Sequence, residues 1–357
     1  MLVNLAYLLR RPTGTTNYAL NLLPYLGQLD PQYLATAASG LSEYWPVPDN
    51  MTAESGLHGH LRRLSWTQFR LPQIYRELTA RSPTRPLLFS PITEAPLFAD
   101  CRFIVMVHDL IPLRFRVSRA QAWLHRYYVP RVVNAAEHIL CNSAATAADL
   151  TQFYGVSPKK ITPILLAHDA QHFRPLGLPR KNYFLLLGRQ TPYKNSAIAL
   201  QAFAKLPHRE AYEIWIAGPL DSRYIPTLQL QANALGITPQ VKFLNYVSYK
   251  ELPVLLNQAL ALIFPSLWEG FGLPVLEAMA CGTPVIAANR ASIPEVTGDA
   301  ALLVEPTDAG VIAHHMHRLI GDPDLSRHLS RAGCDRAAQF SWSQTGQATV
   351  DVLRYYL

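Results

Sequence analysis

Six short apolar runs, YFLLLG, YEIWIAG, VKFLNYV, LALIFPS, PVIAAN and ALLVEP, follow one another between Tyr183 and Pro306, and helix-forming stretches separate them. The first half repeats the rhythm with VNLAYLL, FIVMVHDL, HILCNS and ITPILLA. Continuous apolar runs, rather than period-two alternation, are what strands of a parallel sheet buried on both faces require. Strand and helix alternating through both halves of 357 residues predict an α/β fold of two doubly wound domains facing a cleft. The seam is placed in HFRPLGLPRKN, His172 to Asn182, giving domains over 1–176 and 177–340. The last segment, 341–357, SWSQTGQATVDVLRYYL, reads as an amphipathic helix that crosses back onto the first domain.

No apolar run reaches the roughly 18 residues that span a bilayer. MLVNLAYLLRRP has no basic residues ahead of its apolar stretch, so it reads as a buried first strand rather than a signal peptide. Cys101, Cys141, Cys281 and Cys334 are scattered without a C-x-x-C pair, which argues against a zinc site or a disulfide framework and fits a reducing cytoplasm. The net charge is uneven, +6 over 1–178 and +1 over 179–357. A solvated basic surface and a weak attraction to membranes both fit that bias, whereas no nucleic-acid-binding motif accompanies it.

Ligands of open α/β sheets sit outside the carboxyl ends of the strands, so unusual residues there carry the functional reading. After the first strand, RRPTGTTNYALNLLPYL puts Gly14, Thr15 and Thr16 in a turn before a helix expected near Asn17, either an anion site or a plain helix cap. His108 and Asp109 close FIVMVHDL, where the histidine reads equally as a packed side chain and as a site residue. In LLLGRQTPYKN, Gly188 ends a strand, and Arg189 and Lys194 precede a helix beginning near Asn195. A guanidinium, an ammonium and a helix N-terminus together suit a diphosphate.

FPSLWEGFGLPVLEAMACG, Phe264 to Gly282, holds Glu269 and Glu277 on either side of a glycine-containing loop. Pro274 is disfavoured inside a helix and favoured at its first position, so Glu269 falls in the loop that begins at Pro265 and Ser266. Glu277 then falls one turn into the following helix, which Gly282 ends. Gly270 and Gly272 let the backbone approach a ligand. Glu277, among Leu276, Ala278, Met279 and Ala280, needs hydroxyl donors such as those of a ribose.

These residues resemble the E-x7-E signature of retaining glycosyltransferases of family 4, which have the GT-B fold. The resemblance extends through GRQTPYKN, WIAGPLDSRY, VKFLNYVSYKEL and ASIPEVTGDAALLVEP, with VHDLIPLRF and CNSAATAADLTQFYGVSPKKI in the first half. It implies that Arg189 and Lys194 bind the donor diphosphate, Glu269 the sugar hydroxyls and Glu277 the ribose. Gly188, Ser266, Gly270, Phe271, Gly272 and Leu273 would line the sugar and phosphates, and Tyr246 and Val247 the base. His108 would reach the transferred sugar, and Gly14 and Thr15 would close over the diphosphate. The implied reaction is transfer of a hexose, with mannose from GDP-mannose favoured, to a glycan or lipid-linked acceptor. It would proceed with retention and with no metal or other cofactor, in the cytoplasm at the inner face of the membrane. A UDP-sugar donor and a non-catalytic nucleotide-sugar-binding subunit are the alternatives. The single glycine of Thr-Gly-Thr-Thr and the LLAHDAQHF stretch with His168 and Asp169 depart from the family pattern.

Overall fold

β1 (Leu2–Asn4) stops after three residues, because the Asn4 side chain accepts a hydrogen bond from the Ala6 N–H (3.2 Å) and the Leu8 N–H turns back to Leu5 O (3.2 Å). The strand expected over VNLAYLL is therefore shorter, and beyond it Leu5, Ala6, Tyr7 and Leu8 are buried while Leu9 is half-buried. The computed structural model describes residues 1–9, 13–80, 84–115 and 118–357. Arg10, Arg11 and Pro12 of the opening loop lie outside the described residues.

β2 (Gln32–Ala35), β3 (Trp45–Pro46), β4 (Leu87–Ser90), β5 (Arg102–Val107), β6 (His138–Cys141) and β7 (Ile161–Pro163) join β1 in a parallel sheet of order β3-β2-β1-β4-β5-β6-β7. A second parallel sheet comprises β8 (Tyr183–Leu187), β9 (Glu213–Ala217), β10 (Val241–Leu244), β11 (Ala261–Phe264), β12 (Val285–Ala288) and β13 (Leu302–Val304). Its order is β10-β9-β8-β11-β12-β13, with Leu185 opposite both Trp215 and Leu262. Both sheets are Rossmann-like, and the order of each reverses beside its first strand, at β1/β4 and at β8/β11.

Helices cover both sheets, which is why their strands tolerate continuous apolar sequence. Phe184, Leu186, Ile214, Ile216, Ile263 and Ile286 are buried in one core. Such side chains each contribute about 1.5–3 kcal/mol on burial. Leu2, Leu34, Leu88, Val105 and Ile139 belong to the other core.

The chain divides into one unit of residues 1–166 with 342–357 and a second of 167–341. The division falls ahead of the seam expected after Leu176, because residues 167–176 pack on the second unit. The His172 ring stacks on Tyr249 at 4.0 Å. Asn257 accepts from the Leu176 N–H (2.7 Å) and donates to Arg174 O (3.0 Å).

The closing helix, Trp342–Tyr356, belongs to the first unit and lies against the opening helix, Gly14–Leu26. Thr345 donates to Leu165 O (2.7 Å), and Arg102 donates to Tyr356 O (2.7 Å). Gly346 permits the close approach, since a Cβ there would stand 2.3 Å from the Tyr25 ring. Gly346→Leu is expected to lower stability by about 3 kcal/mol through overpacking. Denaturant titration checks this, and a variant as stable as the parent would mean that the two helices do not pack through Gly346. Among the described residues, no helix is long and apolar enough to cross a membrane.

Candidate functional site

At the carboxyl end of β8 the backbone turns sharply. Gly188 sits at φ +118°, its N–H donating to Ala217 O (2.9 Å), and a Cβ on Gly218 would lie 2.3 Å from Gly188 O. The contact requires glycine at 218 and fixes the start of the loop. Gln190 donates to Gly188 O (2.6 Å) and accepts from the Ser196 hydroxyl. Pro192–Lys194 forms one tight turn, and Asn195 adopts the left-handed conformation at φ 56°. The Asn195 amide donates to Pro306 O (2.6 Å) ahead of the helix Ser196–Ala204. Lys194 is thus carried on a loop braced at both ends.

β11 delivers the second half of the site. Lys194 Nζ lies 4.9 Å over the Phe264 ring and donates to Glu269 Oε1 at 2.6 Å. With side chains only 15% and 10% exposed, this ion pair is shielded from solvent. The sequence reading kept the two residues on separate tasks, lysine on phosphate and glutamate on sugar. The structure makes them direct partners. Leu267 N–H donates to Tyr193 O (2.7 Å), which ties the two loops together along the backbone.

The Ser292 hydroxyl is fully buried and lies within hydrogen-bonding distance of both Glu269 O (3.0 Å) and Phe271 O (2.7 Å), pinning the loop from below. Gly272 has φ +109°, a backbone conformation that requires glycine, and a Cβ there would also displace the Ile293 Cδ1 methyl, 2.7 Å away. The helix Leu273–Ala280 follows with Pro274 in its first turn, and Gly282 (φ +69°) leaves it. Phe271 is buried and Leu273 half-buried.

Glu277 stands on this helix between buried neighbours. Its carboxyl has no hydrogen-bond or ion-pair partner among the described residues. Burial raises its pKa from the usual carboxylate range to about 8. Tyr249 and Cys281 lie near enough that the Glu277 charge pushes up their own pKa values, after burial as the larger cause. An unpartnered carboxyl of this kind is suited to accept hydrogen bonds from hydroxyls.

Other expected residues stand differently. Arg189 is exposed at the end of β8. Its charge acts on Asp221, which Arg223 chiefly holds down to about 2. Ser266 is buried beside Lys194 and Phe264, its hydroxyl without a partner among the described residues. Tyr246 and Val247 line an open cavity of about 900 Å³ after β10, away from the Lys194–Glu269 pair. Asp169 accepts from the Gln171 and His172 N–H groups, and the His168 Nδ1 is buried without a partner among the described residues.

In the first unit, His108 donates from Nε2 to Pro91 O (2.9 Å), and its ring stands edge-on to Tyr18 at 5.1 Å. Burial lowers its pKa to about 4, so the ring is neutral near pH 7, with Nδ1 as its acceptor. The opening helix starts at Gly14 rather than near Asn17, with Thr13 as its N-cap. Gly14 and Thr15 are therefore its first-turn residues and not a turn ahead of it. The three threonine hydroxyls order that end, Thr13 Oγ1 lying 3.1 Å from Thr15 Oγ1 and 3.3 Å from Thr16 Oγ1.

Sequence reasoning missed Gly218, Ser292 and Tyr249. Gly218 and Ser292 lie within quoted stretches, but nothing local distinguishes a glycine or serine that braces a neighbouring loop from any other.

Two family models match in succession, Glycosyltransferase Family 4 over residues 12–171 and Glycosyl transferases group 1 over 169–336. O-antigen chain mannosyltransferase B of Escherichia coli is 31% identical over 221 residues, 61% of this chain. The match spans only 55% of that relative's length. O-antigen chain mannosyltransferase RfbU of Salmonella typhimurium is 28% identical across 86% of this chain and 87% of its own. The crystal structure of Anabaena HepE in complex with UDP and glucose superposes with a TM-score of 0.78 at 20% identity, over 99% of this chain and all of that one, a likeness of fold.

Proposed function

This chain belongs to the GT-B glycosyltransferases of family 4, and we propose that it moves a hexose from a sugar nucleotide to a hydroxyl of a glycan or lipid-linked acceptor. The observation that carries the donor reading is Glu277, a half-buried carboxyl with no hydrogen-bond or ion-pair partner among the described residues, on the helix that follows the Lys194–Glu269 loop. A ribose would supply the hydroxyl donors that Glu277 lacks.

In this reading Lys194 and Arg189 take the diphosphate and the charge that grows as it leaves. Glu269 binds sugar hydroxyls, and Phe271, Gly272 and Leu273 present the backbone to sugar and phosphate. His108, neutral near pH 7, accepts a substrate hydroxyl through Nδ1. The acceptor oxygen attacks the anomeric carbon on the face that the phosphate leaves, so the C–O bond to phosphate breaks as the glycosidic bond forms. The acceptor proton passes to the departing phosphate oxygen, which gives retention without a metal.

Mannose is favoured because both curated relatives described above are named mannosyltransferases, and GDP-mannose is the donor proposed from it. In the first unit, a groove of about 1170 Å³ carries the exposed Phe98, Trp123 and Tyr127 beside Arg126 and Arg131. Aromatic side chains next to guanidinium groups suit an anionic lipid surface, which supports peripheral docking near a lipid-linked acceptor.

Thermal melting with GDP, UDP and ADP tests the donor. At a hundredfold excess over Kd, the matched nucleotide is expected to add about 2.7 kcal/mol and to raise Tm by about 5–10 °C. Equal shifts with UDP and GDP would end the guanine preference. No shift with any of the three would end the donor reading.

A further inference from the structure

The opposite edge of the second sheet holds a different concentration of charge. Arg180 precedes β8 and Leu260 precedes β11, so this edge lies at the amino ends of the two strands whose carboxyl ends carry the Lys194–Glu269 pair. β8 has five residues and β11 four, which span about 13–16 Å and set the scale of the separation. A cavity of about 410 Å³ opens here, lined by Arg180, Arg327 and Arg331 with Ser326 and Ser330, and no Asp or Glu among the described residues lines it.

The arginines differ in how they are compensated. Arg327 pairs with Asp324 on its own helix, Pro323–Ala337. Arg180 is half-buried and reaches only neutral acceptors among the described residues, Ser326 Oγ at 2.6 Å, Gly282 O at 3.1 Å and Leu260 O at 3.5 Å. It has no carboxylate partner among the described residues, and burial lowers its pKa. Arg331 is exposed and forms no hydrogen bond or ion pair among the described residues. A guanidinium partly removed from water with only neutral partners bears a desolvation cost that a bound anion would offset.

The hydroxyls sharpen the chemistry. Ser330 donates to Gly282 O (2.6 Å), so its proton is committed. Ser326 accepts from Arg180, which leaves its own O–H free to donate. Two guanidinium groups and one hydroxyl donor match the oxygens of a phosphate, and the cavity falls within the roughly 300–1,000 Å³ of small-molecule sites. A purely structural role, holding the Gly282 carbonyl, accounts for Arg180 and Ser330 but not for Arg331.

We propose that this cavity is a second anion site, which takes the phosphate group of a small soluble phosphate monoester through Arg180, Arg331 and the Ser326 hydroxyl. Isothermal titration of the full chain with inorganic phosphate and with glucose 6-phosphate, in 150 mM sodium chloride at about pH 7.5, tests it. Saturable binding is expected, stronger for the sugar phosphate. Arg331→Ala should weaken it about tenfold while leaving Tm without ligand and the basal transferase activity unchanged. Lys194→Ala should leave the binding intact, so failure of the donor reading and failure of this one are separable. The proposal is overturned if neither probe binds, if Arg331→Ala binds as the parent does, or if Lys194→Ala abolishes the signal. Binding to phosphatidic-acid vesicles with neither soluble probe binding would overturn the assignment to a soluble ligand.

Discussion

Lys194→Ala is expected to lower kcat/KM about a thousandfold and also to destabilise the second unit. In the proposed function the activity loss follows from removing a fixed cation where charge would develop on the leaving diphosphate, an effect of about 10²–10³ for one preorganised donor. The stability loss has another origin. Lys194 Nζ is 2.6 Å from Glu269 Oε1, and the glutamate side chain is 10% exposed. Removing the lysine leaves that carboxylate buried and uncompensated, at a cost of about 3–5 kcal/mol. The double variant Lys194→Ala/Glu269→Gln should therefore recover most of the stability and none of the activity. Steady-state kinetics with denaturant titration on the single and the double variant decide the matter. If the double variant regained turnover, the lysine would be a structural counter-ion and nothing more.

Glu277→Gln should move stability and nucleotide affinity in opposite directions. The carboxyl pKa is raised from its ordinary 4.5 to about 8, so the folded chain holds a proton that the unfolded chain releases. The stability linked to that proton is fully present below about pH 4.5 and is lost as the pH rises towards 8. Glutamine carries no such liability. The variant should melt like the parent at pH 4 and should be about 2 kcal/mol more stable at pH 7.5, a size reduced because the Glu277 side chain keeps a partly open face. Its GDP affinity should fall tenfold or more with the loss of charge-assisted hydrogen bonds to the ribose. Binding to the parent should strengthen from pH 6 to pH 8 and release a proton, read by calorimetry in buffers of different ionisation enthalpy. Affinity that ignores both pH and the substitution would remove Glu277 from the nucleotide site.

What the sequence disclosed depended on how local each cause was. The second sheet was legible because its six strands are apolar runs between helices, and the bend at Gly272 because Pro274 separates loop from helix within a few residues. β2, β3 and β4 were not. Their apolar runs are short, as in QYLA and LLFS, and β3 is only the pair Trp45–Pro46. β1 was drawn too long because an apolar run does not reveal that the Asn4 side chain will take the Ala6 N–H. The Lys194–Glu269 bond joins residues 75 positions apart through the adjacency of β8 and β11, so residue type marked both ends while only topology could pair them. Ser292 was invisible for the same reason, since its hydroxyl serves a loop more than twenty positions away.

The return of residues 342–357 to the first unit has a consequence for the order of synthesis. The opening helix, with Tyr18 and Tyr25 on its buried side, is synthesised more than three hundred residues ahead of the helix that packs on it. At about 5–20 residues per second, the interval between completion of β7 and emergence of the closing helix lasts on the order of 10–40 s. Throughout it the second unit can complete its own core, while the first still presents an uncovered aromatic face. The nascent chain is thus most in need of a chaperone at its first unit, long after the strands of that unit have left the ribosome.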